Sequence, residues 1–145
     1  MKIKTSGPIV YRKLKSGGYQ LTADWWCETG IKGNAARIGE FGHLDQDGRV
    51  LIKAGYRWDG CSGPAIDRRT NMRCGLLHDF LYQLMRMSKL PQSYRKQADQ
   101  LFRSLYRQDG GNAVMGLLDY IGLRIGASHA AKVQPEAEVA FHSAP

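Results

Sequence analysis

Hydrophobic and polar positions change their period once along the chain. Up to about residue 57 they come in short runs broken by glycine. Pro8-Ile9-Val10-Tyr11-Arg12-Lys13-Leu14 reads as an extended run and Lys15-Ser16-Gly17-Gly18 as a turn, with Tyr19–Cys27 as the returning strand. Ala36–Phe41 and Val50–Ala54 are the next candidate strands, separated around the turn Asp45-Gln46-Asp47-Gly48. After Pro64 the period becomes helical. Leu77, Phe80/Leu81 and Leu84/Met85 predict a helix from about Asn71 to Met87. Ala98, Leu101/Phe102 and Leu105 predict a second, starting at Pro91 and ending before Gly110-Gly111. Val114, Leu117/Leu118, Ile121 and Ile125 lie along one side of a third, over about Asn112 to Lys132.

These elements predict an α+β fold. A strand-rich N-terminal part built of hairpins, about residues 1–57, packs with a C-terminal three-helix part, about 65–132, around one core. The last thirteen residues, 133–145, contain two prolines and no apolar period, and read as a tail. The chain has 145 residues, about the size of one domain and enough to bury a core.

Charge changes the picture little. The sequence carries 21 Lys and Arg against 13 Asp and Glu, a formal +8. The excess is spread evenly, ten cations to six anions in residues 1–60 and eleven to seven in 61–145. Without a basic block or a nucleic-acid motif, it predicts weak attraction to polyanions, anionic lipid included, and no specific nucleic-acid binding. No apolar run approaches the roughly 18–20 residues of a membrane span. The segment Met1–Pro8 has positive charge but no apolar stretch behind it, so the sequence predicts no secretory signal and a place in the cytoplasm. Cys27, Cys61 and Cys74 fit no CxxC zinc pattern, and Cys27 reads as a small buried apolar residue. Trp25, Trp26 and Trp58 read as core or sheet-face aromatics.

Candidate chemistry is concentrated between Trp58 and Asp99. His78 and Asp79 interrupt an otherwise apolar helix, and Tyr82 follows at i+4 from His78. Polar groups embedded in an apolar stretch need partners when buried. Asp99, on the next helix of an antiparallel pair, is the natural partner for His78. An imidazole held by one carboxylate keeps a fixed tautomer and can take a proton from water. Asp79, with Asp59 and carbonyls of the Gly60 turn, offers hard oxygen ligands of the kind calcium takes. A zinc-like site using His78 as a ligand would need a second nitrogen or sulfur donor, and His43, His129 and His142 are poorly placed for it. The same residues also suit a purely structural role: a core histidine bonded to Asp99, and Asp59-Gly60 as a tight turn.

Two resemblances extend this reading. Gly55-Tyr56-Arg57-Trp58-Asp59-Gly60-Cys61-Ser62-Gly63-Pro64, then Leu76-Leu77-His78-Asp79-Phe80-Leu81-Tyr82 and Ala98-Asp99-Gln100-Leu101-Phe102 resemble a family of unknown function, DUF1353, found in bacteriophages and prophages. Its pattern is a WDGxS-P turn, an HDxLY helix and a later D-x-x-F, and the likeness spans about residues 50–126. It implies a phage or prophage setting and no particular activity.

The second resemblance is to bacterial secreted phospholipases A2. It rests on Asp59-Gly60-Cys61-Ser62, Cys74, His78-Asp79-Phe80 with Tyr82, and Asp99. It implies His78 as general base, Asp99 as the residue that orients it and Tyr82 as a support for Asp99. Asp79, Asp59 and the Gly60 carbonyl would be the calcium ligands, and Cys61 with Cys74 a disulfide pair. Those phospholipases are all-helical, whereas this chain opens with strands, so the likeness concerns the site and not the fold. Together the expectations are a phage- or prophage-derived, Ca²⁺-dependent hydrolase of phospholipid or another envelope ester. It would reside in the host cytoplasm, join the virion, or act at the envelope after lysis, with phage structural or lysis proteins as partners. The alternatives are a noncatalytic phage accessory or virion-associated protein with a structural HD helix, and a metal-dependent peptidoglycan or peptide hydrolase.

Overall fold

The N-terminal strands pair into two antiparallel sheets. The computed structural model describes residues 2–59 and 69–126. One sheet has three strands, in the order β1 (Tyr11–Lys13), β2 (Tyr19–Leu21), β7 (Arg57–Trp58). The other has four, in the order β3 (Trp25–Glu28), β6 (Arg49–Ile52), β5 (Gly42–Leu44), β4 (Ala36–Ile38). Trp25 pairs with Ile52 and Cys27 with Val50, so these residues and Leu44 share one buried face. Trp58 is buried too, while Trp26 is half-buried beneath the Arg49 guanidinium, 4.1 Å from its ring.

The strand expected over Tyr19–Cys27 is two strands in different sheets. The break lies at Thr22–Asp24. There the Asp24 carboxylate accepts the Ala54 amide at 2.9 Å and the Lys53 ammonium at 2.8 Å. Meanwhile Leu21 exchanges backbone bonds with Tyr56 and Gly55, which carries the chain from one sheet into the other. The strand expected over Ala36–Phe41 ends at Ile38. A turn closed by the Phe41 amide on the Ile38 carbonyl leads straight into β5, which the sequence reading did not separate.

The three helices are α1 (Met72–Arg86), α2 (Arg95–Gln108) and α3 (Ala113–Gly126). α1 is apolar on nearly every side and is accordingly buried on nearly every side, between the sheets and α2. Leu76, Leu77, Phe80, Leu81, Leu84 and Met85 are inaccessible, each contributing about 1.5–3 kcal/mol by burial. One cluster joins them to Trp25, Ile38 and Val50 of the sheet and to Ala98, Phe102 and Leu105 of α2. The N-terminal segment is tied to the far end of this stack. Ile3 and Gln108 exchange two bonds, and Arg73 holds Asp109 while donating to the Thr5 hydroxyl and the Gly7 carbonyl at 2.8 Å.

α3 differs from expectation in the face it buries. Val114, Leu117, Leu118 and Ile121, the expected apolar stripe, are exposed. Gly116 and Leu123 are buried instead, because the glycine lets the Tyr106 ring of α2 lie against the helix backbone. The expected extension of this helix to Lys132 and the tail 133–145 lie outside the described residues.

Close packing of α1 on β5 depends on Gly42. A Cβ there would sit 2.4 Å from the Leu51 carbonyl oxygen and 2.9 Å from the Phe80 ring. Gly42→Ala is expected to cost about 1–3 kcal/mol by forcing α1 and the sheet apart; a lower urea midpoint at unchanged m-value checks it.

Candidate active site

The site is built by helical periodicity on α1. His78 and Tyr82, four residues apart, share the face that meets α2. Their rings lie 4.0 Å apart, and the Phe102 ring of α2 stands edge-on to His78 at 5.6 Å. Two polar side chains on a helix this deeply buried require polar partners, and one carboxylate supplies both. His78 Nε2 lies 2.8 Å from Asp99 Oδ1, and the Tyr82 hydroxyl donates to the same oxygen at 2.5 Å. Asp99 is fully buried and His78 is 4% exposed.

The other carboxylate oxygen faces two arginines. Arg124 of α3 donates to Asp99 Oδ2 at 3.0 Å, and Arg95, one turn earlier on α2, stands 3.8 Å from it. Arg95 also reaches the Leu123 and Arg124 carbonyls of α3 at 3.3 and 3.4 Å. Neither arginine figured in the sequence reading. The available signal was an Arg at i−4 from Asp99 and the single cation of Ala113–Gly126 in the third helix.

Burial and bonding set the charges. Burial lowers the His78 imidazole below its ordinary 6.5, outweighing the upward pull of Asp99, so the ring is neutral near pH 7. For Asp99, burial acts upward, but the bonds from His78, Tyr82 and Arg124 prevail and hold its carboxyl below the usual range. Burial, then the bond to Asp99, pushes the Tyr82 hydroxyl up, which keeps it a donor. With Asp99 ionised, the Nε2 proton of His78 points at the carboxylate. That tautomer leaves Nδ1 as the basic nitrogen.

The residues expected to hold calcium are less completely placed. Asp79 is half-buried on α1 beside His78, and Asp59 is exposed just after β7. Tyr56 nearby in the chain is buried and bonded to Gln83 at 2.9 Å. Burial raises its hydroxyl first, and the charges of Asp79 and then Asp59 add to the rise. Among the described residues no three His, Cys, Asp or Glu side chains form a metal-holding group. Gly60 lies outside the described residues, as does Cys61, so the turn carbonyl and the disulfide fall there too. Cys74 is buried, and its thiol donates to the Asn71 carbonyl at 3.3 Å. Cys27 is buried as well, and burial pushes its thiol up to about 12, which leaves it unreactive.

The depressed His78 value has a consequence for stability. Between the folded value and 6.5, the unfolded chain binds a proton that the folded chain refuses. Stability therefore rises with pH across that window and is lost as pH falls through it; Asp99 adds a further loss below 3.8. Urea unfolding from about pH 5 to about pH 8 should show this slope in the wild type. His78→Asn, which cannot take up the proton, should flatten it.

No helix among the described residues is long and apolar enough to cross a membrane. Compared with protein-family models, curated proteins and solved structures, the chain finds no match.

Proposed function

We propose that this chain is a phage- or prophage-derived hydrolase with a phospholipase-A2-like His/Asp site, acting on a phospholipid or another envelope ester with the help of a calcium ion. The observation that carries this reading is the convergence of His78 and Tyr82 on one oxygen of the buried Asp99. A core histidine needs one acceptor. Here the acceptor is itself fixed by a tyrosine and an arginine, which orients the imidazole rather than merely satisfying it.

The residues then divide the work. Nδ1 of neutral His78 takes a proton from the water that attacks the ester carbonyl. The imidazolium so formed is stabilised by Asp99, whose charge is held in place by Tyr82 and Arg124. The donor chemistry of Asp79 and Asp59 fits calcium, since carboxylate oxygens are hard ligands of the kind it takes. Bound by them and by the Gly60 carbonyl, the ion would supply positive charge for the developing oxyanion.

The small exposure of His78 favours one alternative, a noncatalytic phage accessory protein in which the same bonds lock three helices together. Phospholipid hydrolysis with Ca²⁺ and thermal unfolding, both followed on wild type, His78→Asn and Asp99→Asn, separate the two. The hydrolase reading expects an active wild type and a turnover lower by about 10²–10⁴ in His78→Asn with the fold retained. Asp99→Asn should lose activity too, through the wrong imidazole tautomer. An inactive wild type across several phospholipids, with His78→Asn destabilised by about 1–3 kcal/mol, would leave the structural role.

A further inference from the structure

α3 is mounted with its apolar side outward. Helices of water-soluble domains ordinarily turn the apolar stripe to the core. Here Val114 is 64% exposed and Leu118 55%, with Leu117 and Ile121 beside them one turn apart. A contiguous exposed apolar row of this kind marks an interaction surface.

The flank of that row is cationic. Between α2 and α3 runs a groove of about 800 Å³ that includes Lys2, Arg103, Arg107, Gln100, Ser104 and Tyr120 in its lining, and among the described residues no acidic side chain lines it. Tyr120 joins the two features, since it lines the groove and lies at i+3 from Leu117 on the apolar edge. The cations are positioned rather than loose. Arg103 stands over the Tyr120 ring at 5.7 Å, and Arg107 donates to the Gly111 carbonyl at 2.9 Å.

We infer that this face, the outer side of α3 with the Arg103/Arg107 groove beside it, docks on an anionic phospholipid surface. Charge complementarity selects that occupant. A second copy of this chain would bring a +8 molecule, and the same basic groove, against its own like. A nucleic acid would engage the arginines but leave the leucines and Ile121 without a partner. A bilayer interface satisfies both, taking apolar side chains into the acyl boundary and guanidinium groups among the headgroup phosphates. The inference goes beyond the hydrolase reading and uses none of its site residues.

The test is co-sedimentation of the full chain with vesicles of phosphatidylcholine alone and of phosphatidylcholine mixed with phosphatidylglycerol, in EDTA so that no calcium takes part. Binding is expected to the mixed vesicles and to weaken with salt. The double variant Leu117→Ser/Leu118→Ser should bind at least about tenfold more weakly, with its circular dichroism unchanged. Arg103→Gln should bind about fivefold more weakly, and His78→Asn as tightly as wild type. Equal binding to both vesicle types, no binding to either, or full binding by the double variant would overturn the proposal. So would a dimer in light scattering that the double variant converts to monomer without any vesicle binding, which would assign the face to a second copy. Because no turnover is read, failure here and failure of the hydrolase reading are separate results.

Discussion

The helical half of this protein is organised around a single buried negative charge. Asp99 has no access to solvent, and an isolated carboxylate in such a place would be neutralised by protonation. It stays ionised because three helices contribute donors: His78 and Tyr82 from α1, Arg124 from α3, with Arg95 of its own helix close by. The same bonds fix the helices against one another. A carboxylate with several directional partners defines one arrangement of α1, α2 and α3, where apolar contacts alone would tolerate several. The imidazole tautomer, its depressed proton affinity and the elevated Tyr82 hydroxyl all follow from this one group.

The sheets depend on the helices through α1. A helix apolar around its whole circumference cannot sit on a surface, and its burial requires a layer on each side. The four-stranded sheet provides one layer and α2 the other. Gly42 sets how near the sheet can approach, and the Tyr56–Gln83 bond ties the crossing segment to the same helix. Arg73 then joins the start of α1, the N-terminal segment and the end of α2 through Asp109, Thr5 and Gly7.

Asp99 also decides how α3 lies. To deliver Arg124 to the carboxylate, α3 presents the face that carries Gly116, Leu123 and Arg124. Tyr106 packs on Gly116, and Leu123 is buried along that line. The larger apolar row at Val114, Leu117, Leu118 and Ile121 is then turned outward by geometry. The bond to the buried charge and the packing of Tyr106 on Gly116 thus lie on one side of α3, and the apolar row lies on the other.

The sequence by itself determined the fold class, the first two helices within a few residues, the start of the third, and the pairing of His78 with Asp99. Each of these is a local signal: a helical period, Pro and Gly punctuation, and polar residues stranded among apolar ones that must find each other. Tertiary structure decided what local pattern cannot carry. Tyr19–Cys27 reads as one continuous β run, and only the Asp24 bonds to Lys53 and Ala54, thirty residues away, split it between two sheets. The period of α3 names its apolar stripe correctly but not which face meets the core. Arg124 finds its partner, Asp99, on another helix, and no local pattern names that pairing. An arginine in a sequence looks like a solvated cation until the fold places a buried carboxylate within its reach.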